Sequence, residues 1–546
     1  MRIFKLILVL FAIQTASAQN DKPNILWITC EDISPDLPIY GDNTAKTPNL
    51  DALAKESLVY DNAFAVVGVC APTRSAIITG MQPISIGTMH MRTGKDVIAW
   101  GSRKYEETDR TDIEGNPIRQ YSAVIPSEVK TFTEYLRAEG YYCTNNPKTD
   151  YQFAAPISSW DENGRDAHWG GKEEGQPFFS VFNIDDTHES KLWKYSDKPL
   201  TVKPADVTVP PYFPDNTETR NTIARHYSNI EIMDQKVGEI IAQLKKDGLY
   251  DNTIIFFYSD HGGPLPREKR AIYDSGLKIP FMIKGIEKTG RTDRMISAID
   301  FGPTVLSLAG IQPPEYLDGK AFAGEFDTVP RDFVLGTSDR FDEVTDRMRA
   351  IRTKDYLYIF NFYPEKTRYK DISYRMQVPM MPKVIEMRDN NELDSIQQQW
   401  FSDKGKEELY AVKTDPYNVN DISEEPEMQE VVEKHREILH DYLFQHKDLG
   451  QMPENKLIRL MWPDGEQPLT RAPETKFENG KYSVSSSTPG SSIVYLISIN
   501  ENADTGFDAN WKLYTEPLKL EKRENLFLRA ERIGYQISEI VIVQAN

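Results

Sequence analysis

The sequence has little cysteine and no excess of positive charge. Three cysteines in 546 residues leave at least one thiol without a partner in the chain. Cys30 and Cys143 lie in apolar, strand-like stretches, which indicates core positions, whereas Cys70 lies at the start of a predicted helix. Lys and Arg number 64 against 83 Asp and Glu, a net charge of −19. Nucleic acid is therefore not an expected partner, because proteins that bind it carry basic surfaces.

Long apolar runs and internal repeats are also absent after the first residues. No later stretch reaches the length that a bilayer crossing needs, so we expect no membrane span. The opening MRIFKLILVLFAIQTASAQN combines Arg2 and Lys5 with an apolar run over residues 6–13 and an Ala-x-Ala site ending at Ala18. This pattern predicts a signal peptide over residues 1–18 and a periplasmic or secreted location.

Predicted strands and helices alternate through the first 330 residues. NILWITC (24–30), PFFSVFNI (177–184) and TIIFFYS (253–259) are apolar runs typical of buried strands, and residues 219–246 form an amphipathic helical pattern. The alternation predicts an α/β fold with a mainly parallel mixed sheet between layers of helices. In such sheets, ligands bind beyond the carboxyl ends of the strands.

The pattern changes in the last two fifths of the chain. Residues 348–362 predict a strand pair, and residues 425–445 predict an amphipathic helix. Further on, short β-rich pieces alternate with turn residues. We therefore expect a main domain over residues 21–331, a smaller α+β subdomain over residues 332–450, and a β-sandwich module over residues 467–546.

Polar clusters follow the predicted strands of the main domain. They are Glu31-Asp32, NNPKTD (145–150), DDTH (185–188) and YSDHGG (258–263), with KRAIYDSGLKIP (269–280) close behind. Singly, each is more simply interpreted as a turn, a cap or a solvated surface. Together at one sheet edge, carboxylates, histidines and cations suit a hard divalent metal and an oxyanion substrate, because metal and cations neutralise the oxyanion.

The segment VGVCAPTRSAIITG (67–80) favours one interpretation. A free cysteine at a helix start is either a buried apolar residue or a reactive group favoured by the helix N-terminus. Cys70-Ala71-Pro72-Thr73-Arg74 resembles the Cys-x-Pro-x-Arg signature of formylglycine-dependent sulfatases, and the other clusters match that family in order over residues 22–450. The resemblance implies an alkaline-phosphatase-like sulfatase fold. It also implies a partner that oxidises the cysteine, either a formylglycine-generating enzyme or an anaerobic sulfatase-maturating enzyme.

The resemblance implies a metal centre around residue 70. Cys70 would become formylglycine, which would act as a ligand and as the source of the nucleophilic oxygen. Glu31, Asp32, Asp260 and His261 would hold one Ca²⁺. Two of these residues depart from the family pattern, because Glu31 stands where an Asp is usual and His261 where an Asn is common.

The resemblance also implies catalytic roles for basic side chains. Arg74 would steady the hydrated aldehyde, and Lys148 and Lys269 would bind oxygens of the sulfate group. His188 is the candidate general acid for the leaving group. The family often has Lys-x-His where this chain has Lys148-Thr149-Asp150, so Asp150 becomes a candidate contact for sugar hydroxyls.

The predicted export and the added β module indicate a class of substrate. Both favour a sulfated polysaccharide or oligosaccharide, either algal or a glycosaminoglycan, and residues 336–364 resemble heparan N-sulfatase-like members. His90, Asp339 and Arg340 are candidate substrate contacts, with a structural role as the simpler alternative.

The sequence is compatible with one other enzymatic function and less so with a binding function. A phosphonate monoester or phosphodiester hydrolase of the same superfamily would use the same metal pocket. A non-catalytic glycan-binding protein is disfavoured, because a decayed site would have lost some of the catalytic set: Cys70, Arg74, Lys148, His188 and Lys269.

Overall fold

An eight-stranded sheet organises the first 300 residues. The computed structural model describes residues 22–94 and 105–545, so the predicted signal peptide lies outside the described residues. The strands of this part are β1 Asn24–Cys30, β2 Ser57–Phe64, β3 Glu107–Thr111, β4 Pro117–Arg119, β5 Tyr142–Asn146, β6 Glu162–Asn163, β7 Phe178–Ile184, β8 Thr253–Ser259, β9 Phe281–Lys284 and β10 Gly290–Ser297.

The sheet is mainly parallel, as the alternation of strands and helices predicted. Its order is β10-β2-β9-β8-β1-β7-β5-β6, while β3 and β4 form a separate hairpin. Only β9, within this sheet, runs antiparallel to its neighbours β2 and β8. The α/β fold class is therefore confirmed. The central strands read as continuous apolar runs because both of their faces are covered.

Helices cover both faces of the sheet. They are α1 Pro48–Ala54, α2 Cys70–Thr79, α3 Pro83–Ile86, α4 Phe132–Ala138, α5 Lys191–Lys194, α6 Thr217–Lys246, α7 Asp274–Leu277 and α8 Phe301–Leu308. On β1, Ile25 and Trp27 pack with residues of α2, α4 and α8. The alternate residues Leu26 and Ile28 pack with α1 and α6 on the other face. The two-residue period of β1 thus divides the core into two layers.

A four-stranded antiparallel sheet follows. Its order is β11-β12-β13-β14, and this part of the chain comprises β11 Phe333–Ser338, β12 Met348–Thr353, β13 Tyr356–Asn361, α9 Met381–Asp389, α10 Ser395–Gln398, β14 Glu407–Ala411, α11 Gln429–Gln445 and α12 Glu454–Met461. Apolar residues of α11 and α12 pack with those of the sheet in one cluster. This arrangement agrees with the predicted α+β character.

The last part of the chain is built of short strands. They are β15 Glu474–Glu478, β16 Lys481–Ser485, β17 Ser492–Ser498, β18 Lys512–Leu513, β19 Asn525–Glu531 and β20 Val541–Gln544. The β15-β16 pair packs on the sheet β18-β17-β19-β20 through Tyr482, Val484, Leu526 and Leu528. The predicted domain boundaries stay predictions, but residues 474–544 do form two packed sheets.

The β-rich part docks on the main sheet near β5. Ile157 packs with Val494, Trp511 and Phe527, and Arg137 donates a hydrogen bond to the carbonyl of Trp511 at 2.8 Å. The amide of Ser158 donates to Glu531 at 2.6 Å. These contacts support the segment on either side of β5.

None of the helices in residues 22–94 and 105–545 combines the length and apolar character that a bilayer crossing needs.

Candidate active site

Cys70 is the first residue of helix α2, and its side chain is fully buried. Pro72 lies in the first turn, where a missing N–H costs no helical hydrogen bond. The helix ends at Gly80, whose φ of 67° is in the left-handed region that favours glycine. All ten residues of α2 are buried. The helix therefore holds residue 70 rigidly inside the protein at the end of the sheet.

Gly68 brings the loop before α2 against the loop that carries Lys269. A Cβ at Gly68 would lie 2.3 Å from the carbonyl oxygen of Ala271, so no larger residue fits without displacing backbone. The amide of Arg270 donates to the carbonyl of Gly68 at 2.7 Å. This contact holds Lys269 close to Cys70, with Nζ 3.6 Å from Sγ.

The four carboxylate and histidine candidates come from two neighbouring parallel strands. Cys30 of β1 is paired with Ser259 of β8, so the residues that follow each strand meet at the same sheet edge. His261 Nε2 lies 3.0 Å from Asp32 Oδ1 and 3.3 Å from Cys70 Sγ. Possible ligand atoms lie within 4.8 Å of one another in two overlapping groups: Glu31, Asp32, Cys70 and His188, and Cys70, Asp260 and His261.

Basic side chains neutralise these carboxylates from three sides. Lys148 Nζ lies 2.6 Å from Glu31 Oε2, and Lys269 Nζ forms an ion pair with Asp32. Arg74 Nε donates to Asp260 Oδ2 at 2.9 Å. Its Nη1 donates to Asn183 Oδ1 at 2.7 Å, a contact that no motif in the sequence indicated. The structure thus brings together all nine residues predicted for the metal centre and the catalytic set.

Buried charges shift the pKa values of side chains in the candidate metal centre. Burial raises the pKa of Asp32, but Lys269 and His261 outweigh it, so the pKa lies well below its usual value. Burial lowers the pKa of His261, but Asp260 and Asp32 outweigh it and raise the pKa to about 10. The carboxylates around His261 thus favour its protonated form when no metal ion lies between them.

This donor set fits a hard divalent cation. Glu31, Asp32 and Asp260 supply carboxylate oxygens, the ligands that Ca²⁺ prefers, and His261 supplies one imidazole nitrogen. A metal ion would take over the role of the imidazolium, because His261 must lose its proton to bind through Nε2. The fit is best for the carboxylates and weaker for His261, since Ca²⁺ prefers oxygen to nitrogen.

His188 faces the centre with its Nε2 side. Its Nδ1 accepts a hydrogen bond from the amide of Ser190 at 3.1 Å, so the proton of the neutral ring lies on Nε2. Nε2 is 3.7 Å from Glu31 Oε2. Burial, and then the charge of Lys269, lower the pKa of His188 well below its usual value. The lowered pKa leaves the ring neutral at pH 7, so His188 would have to take up a proton before acting as a general acid, and that role stays a prediction.

Asp150 lies beside Lys148, with Oδ2 3.8 Å from Nζ. Arg92 Nη1 lies 3.9 Å from Asp150 Oδ1, and one third of the Arg92 side chain is exposed. Lys148 has a φ of 103° and Asp150 a φ of 55°. Non-glycine residues in such conformations cost about 1–3 kcal/mol each and cluster at functional sites. Contact between Asp150 and a sugar hydroxyl stays a prediction.

His90, Asp339 and Arg340 lie in a second, buried polar network. Arg340 Nη2 donates to Glu454 Oε1 at 2.7 Å, and His90 Nδ1 lies 3.9 Å from Glu454 Oε2. Asp339 pairs with Arg349 Nη2 at 3.0 Å. Arg340 and Asp339 are 1 % and 2 % exposed. This geometry favours structural roles for the two residues over the sugar contacts that the sequence suggested. Sequence reasoning missed Glu454, which is distant along the chain.

Comparisons with known proteins find similarity to sulfatases. The model of the sulfatase family matches residues 23–311, and that of the C-terminal part of N-sulphoglucosamine sulphohydrolase matches residues 267–399. An ulvan-active sulfatase of Formosa agariphila is 38 % identical, over 96 % of this chain and 92 % of its own.

Two further similarities are more distant. Human N-sulphoglucosamine sulphohydrolase is 22 % identical over 78 % of this chain and 90 % of its own. The solved structure of a 2-O GAG sulfatase superposes with a TM-score of 0.56 at 17 % identity, covering 78 % of this chain and 93 % of the other. At this level of identity, the second similarity concerns the fold.

Proposed function

This chain belongs to the sulfatase family and is a sulfuric ester hydrolase of its polysaccharide-active group, and from that premise we propose that it removes sulfate groups from an ulvan-type algal polysaccharide or its oligosaccharides. The observation that supports this substrate is the 38 % identity to an ulvan-active sulfatase over nearly the whole chain. A glycosaminoglycan is the second candidate, because residues 267–399 match the C-terminal model of N-sulphoglucosamine sulphohydrolase.

We further propose that Cys70 is converted to formylglycine and that one Ca²⁺ binds beside it. The buried donor set of Glu31, Asp32, Asp260 and His261 supports the metal. The position of Cys70 at the start of a buried helix, 3.6 Å from Lys269 Nζ, supports a reacting group at residue 70. Together, metal and hydrated aldehyde would supply an acidified hydroxyl for attack on the sulfur atom.

The chain's own side chains bind the ester and take part in proton transfer. Lys148 and Lys269 lie on two sides of residue 70 and neutralise the oxygens of a sulfate group placed there. Arg74, held by Asp260 and Asn183, orients the end of α2. His188 is the proposed general acid: a ring protonated on both nitrogens would give its Nε2 proton to the sugar oxygen as the bond to sulfur breaks, and would be left neutral.

Export and the maturation partner belong to the same proposal. The opening residues carry the pattern of a signal peptide, and a large external polysaccharide is available only to an exported enzyme. Oxidation of Cys70 requires a separate maturation enzyme.

A substrate panel tests the proposal. Purified protein, with formylglycine at residue 70 verified by mass spectrometry, is assayed on ulvan oligosaccharides, sulfated glycosaminoglycan disaccharides, an aryl sulfate and an aryl phosphodiester. We expect sulfate release from the ulvan fragments and none from the Cys70→Ala variant. Sulfate release only from the glycosaminoglycan set would overturn the substrate. Activity retained by Cys70→Ala would overturn the nucleophile.

A further inference from the structure

A small cavity beside Lys269 is lined mainly by cationic side chains. Its volume is about 20 Å³, enough for one water molecule or a monatomic ion. Six of the residues that line it are basic: Arg267, Lys269, Arg270, Arg368, Lys370 and Arg375. All but Arg368 are at most 5 % exposed.

Four of these cations have a carboxylate partner, whereas Arg267 and Arg375 have none among the described residues. Lys269 pairs with Asp32, Arg270 with Glu189, and Arg368 with Glu408. Among the described residues, no carboxylate lies within 4.0 Å of the Arg375 guanidinium. Its Nη1 donates to the carbonyl of Lys370 at 2.5 Å, and its buried Nε has no hydrogen-bond partner there. A buried guanidinium that is not neutralised costs several kcal/mol.

Lys370 adds to the positive charge. Asp346 is shared between Lys370 at 3.2 Å and Lys404 at 2.6 Å, so one carboxylate serves two ammonium groups. Burial and Lys404 lower the pKa of Lys370 to about 8 in spite of Asp346. Burial and Arg270 lower the pKa of Arg375 to about 10. Burial is the largest cause in both cases, and the nearby carboxylates do not compensate for it.

We propose that this cavity binds a halide ion, chloride under ordinary conditions, which neutralises Arg375 and Lys370 behind Lys269. A water molecule would fill the volume but would leave the excess charge. The space suits a group of about the size of one water molecule, which favours a monatomic anion over the larger sulfate and phosphate ions. Because Arg375 Nη2 also approaches the carbonyl of Lys269 at 3.5 Å, the ion stabilises the backbone that carries a catalytic lysine.

The test uses the full-length protein and does not depend on activity. Crystals soaked in bromide are measured at the bromine absorption edge, and we expect an anomalous peak within hydrogen-bond distance of Arg375 Nε. In solution, the melting temperature is followed as chloride replaces gluconate at constant ionic strength. We expect a saturable rise, because an ion that binds only the folded state stabilises it in proportion to its occupancy.

Variants connect the effect to the cavity. Arg375→Gln should weaken the apparent chloride affinity at least tenfold. Arg388→Gln is the matched control, because it removes a partly exposed arginine of α9 whose ion pair is with Asp389; it should behave as wild type. If Arg375→Gln does not fold, Lys370→Met should show the same weakening. A cavity that holds only water in bromide, or a chloride response that Arg375→Gln leaves unchanged, would overturn the proposal.

Discussion

The Arg340–Glu454 pair allows a structural role to be distinguished from a substrate contact. Four of the five N–H groups of Arg340 are used inside the protein, two on Glu454 and one each on the carbonyls of Met91 and Asp342. Tyr121 also donates to Glu454, at 3.1 Å. Little capacity remains for a sugar. We therefore expect Glu454→Gln to affect stability and to leave substrate binding unchanged.

The titration of Glu454 gives the size of the effect. Burial alone raises the pKa of this carboxyl, but Arg340 outweighs it and lowers the pKa from 4.5 to about 2. One unit of pKa corresponds to about 1.4 kcal/mol, so ionised Glu454 contributes about 3 kcal/mol to the folded state. Breaking a buried ion pair from one side costs a similar amount. Glu454→Gln should lower the free energy of unfolding by about 3 kcal/mol at pH 7.

The pH dependence has a defined sign. Because the pKa of Glu454 is lowered on folding, its contribution is complete above pH 4.5 and is lost as the pH falls towards 2. The difference between wild type and Glu454→Gln should therefore shrink below pH 4.5. Urea denaturation at several pH values measures it. Glu433→Gln is the matched control, since Glu433 is 60 % exposed in its pair with Arg436 and should cost under about 1 kcal/mol.

Enzyme kinetics test whether Arg340 contacts the substrate. KM for the sulfated substrate should stay within about twofold of wild type at temperatures where Glu454→Gln is folded. An unchanged free energy of unfolding together with a raised KM would show that Arg340 binds sugar after all. The double variant Arg340→Met, Glu454→Met should be more stable than Glu454→Gln, because it leaves no buried charge unpaired.

Three further predictions concern the site and the β-rich part. Lys148→Met should lower kcat by about 10²–10³-fold, because one cation on the sulfate oxygens is lost. An unchanged formylglycine content, measured by mass spectrometry, controls for maturation. An unchanged kcat would contradict the role of Lys148 in binding the sulfate group. Removal of metal by a chelator should abolish sulfate release and lower the melting temperature, and added Ca²⁺ should restore both; full activity in the chelated protein would contradict the metal centre. Burial raises the pKa of Glu531 from 4.5 to about 7, so the contribution of this carboxyl to stability falls as the pH rises from about 4.5 to 7. The melting temperature of Glu531→Gln should therefore be higher than that of wild type at pH 8 but not at pH 4. Equal melting temperatures of the two proteins at both pH values would contradict burial of the charge.

Local sequence patterns predicted most of the fold and the central residues of the candidate active site. A strand buried on both faces must be apolar throughout, which is why β1, β7 and β8 were readable as strands. The residues that follow β1 and β8 had to meet, because parallel neighbours end at the same sheet edge. The Cys-x-Pro-x-Arg segment is likewise local, since the start of a single helix fixes the spacing of Cys70, Pro72 and Arg74.

Local sequence patterns did not predict contacts between residues that are distant in the chain. Arg340 and Glu454 are 114 residues apart, and nothing near Arg340 in the chain distinguishes a buried ion pair from an exposed sugar contact. The left-handed backbone of Lys148 also follows from packing alone, as does the lack of a carboxylate beside Arg375 within residues 22–94 and 105–545. Periodicity and short motifs determine which residue types occur at each element and in what order. Burial, charge pairing and backbone strain depend on the whole three-dimensional arrangement, because each is set by neighbours that the linear order does not specify.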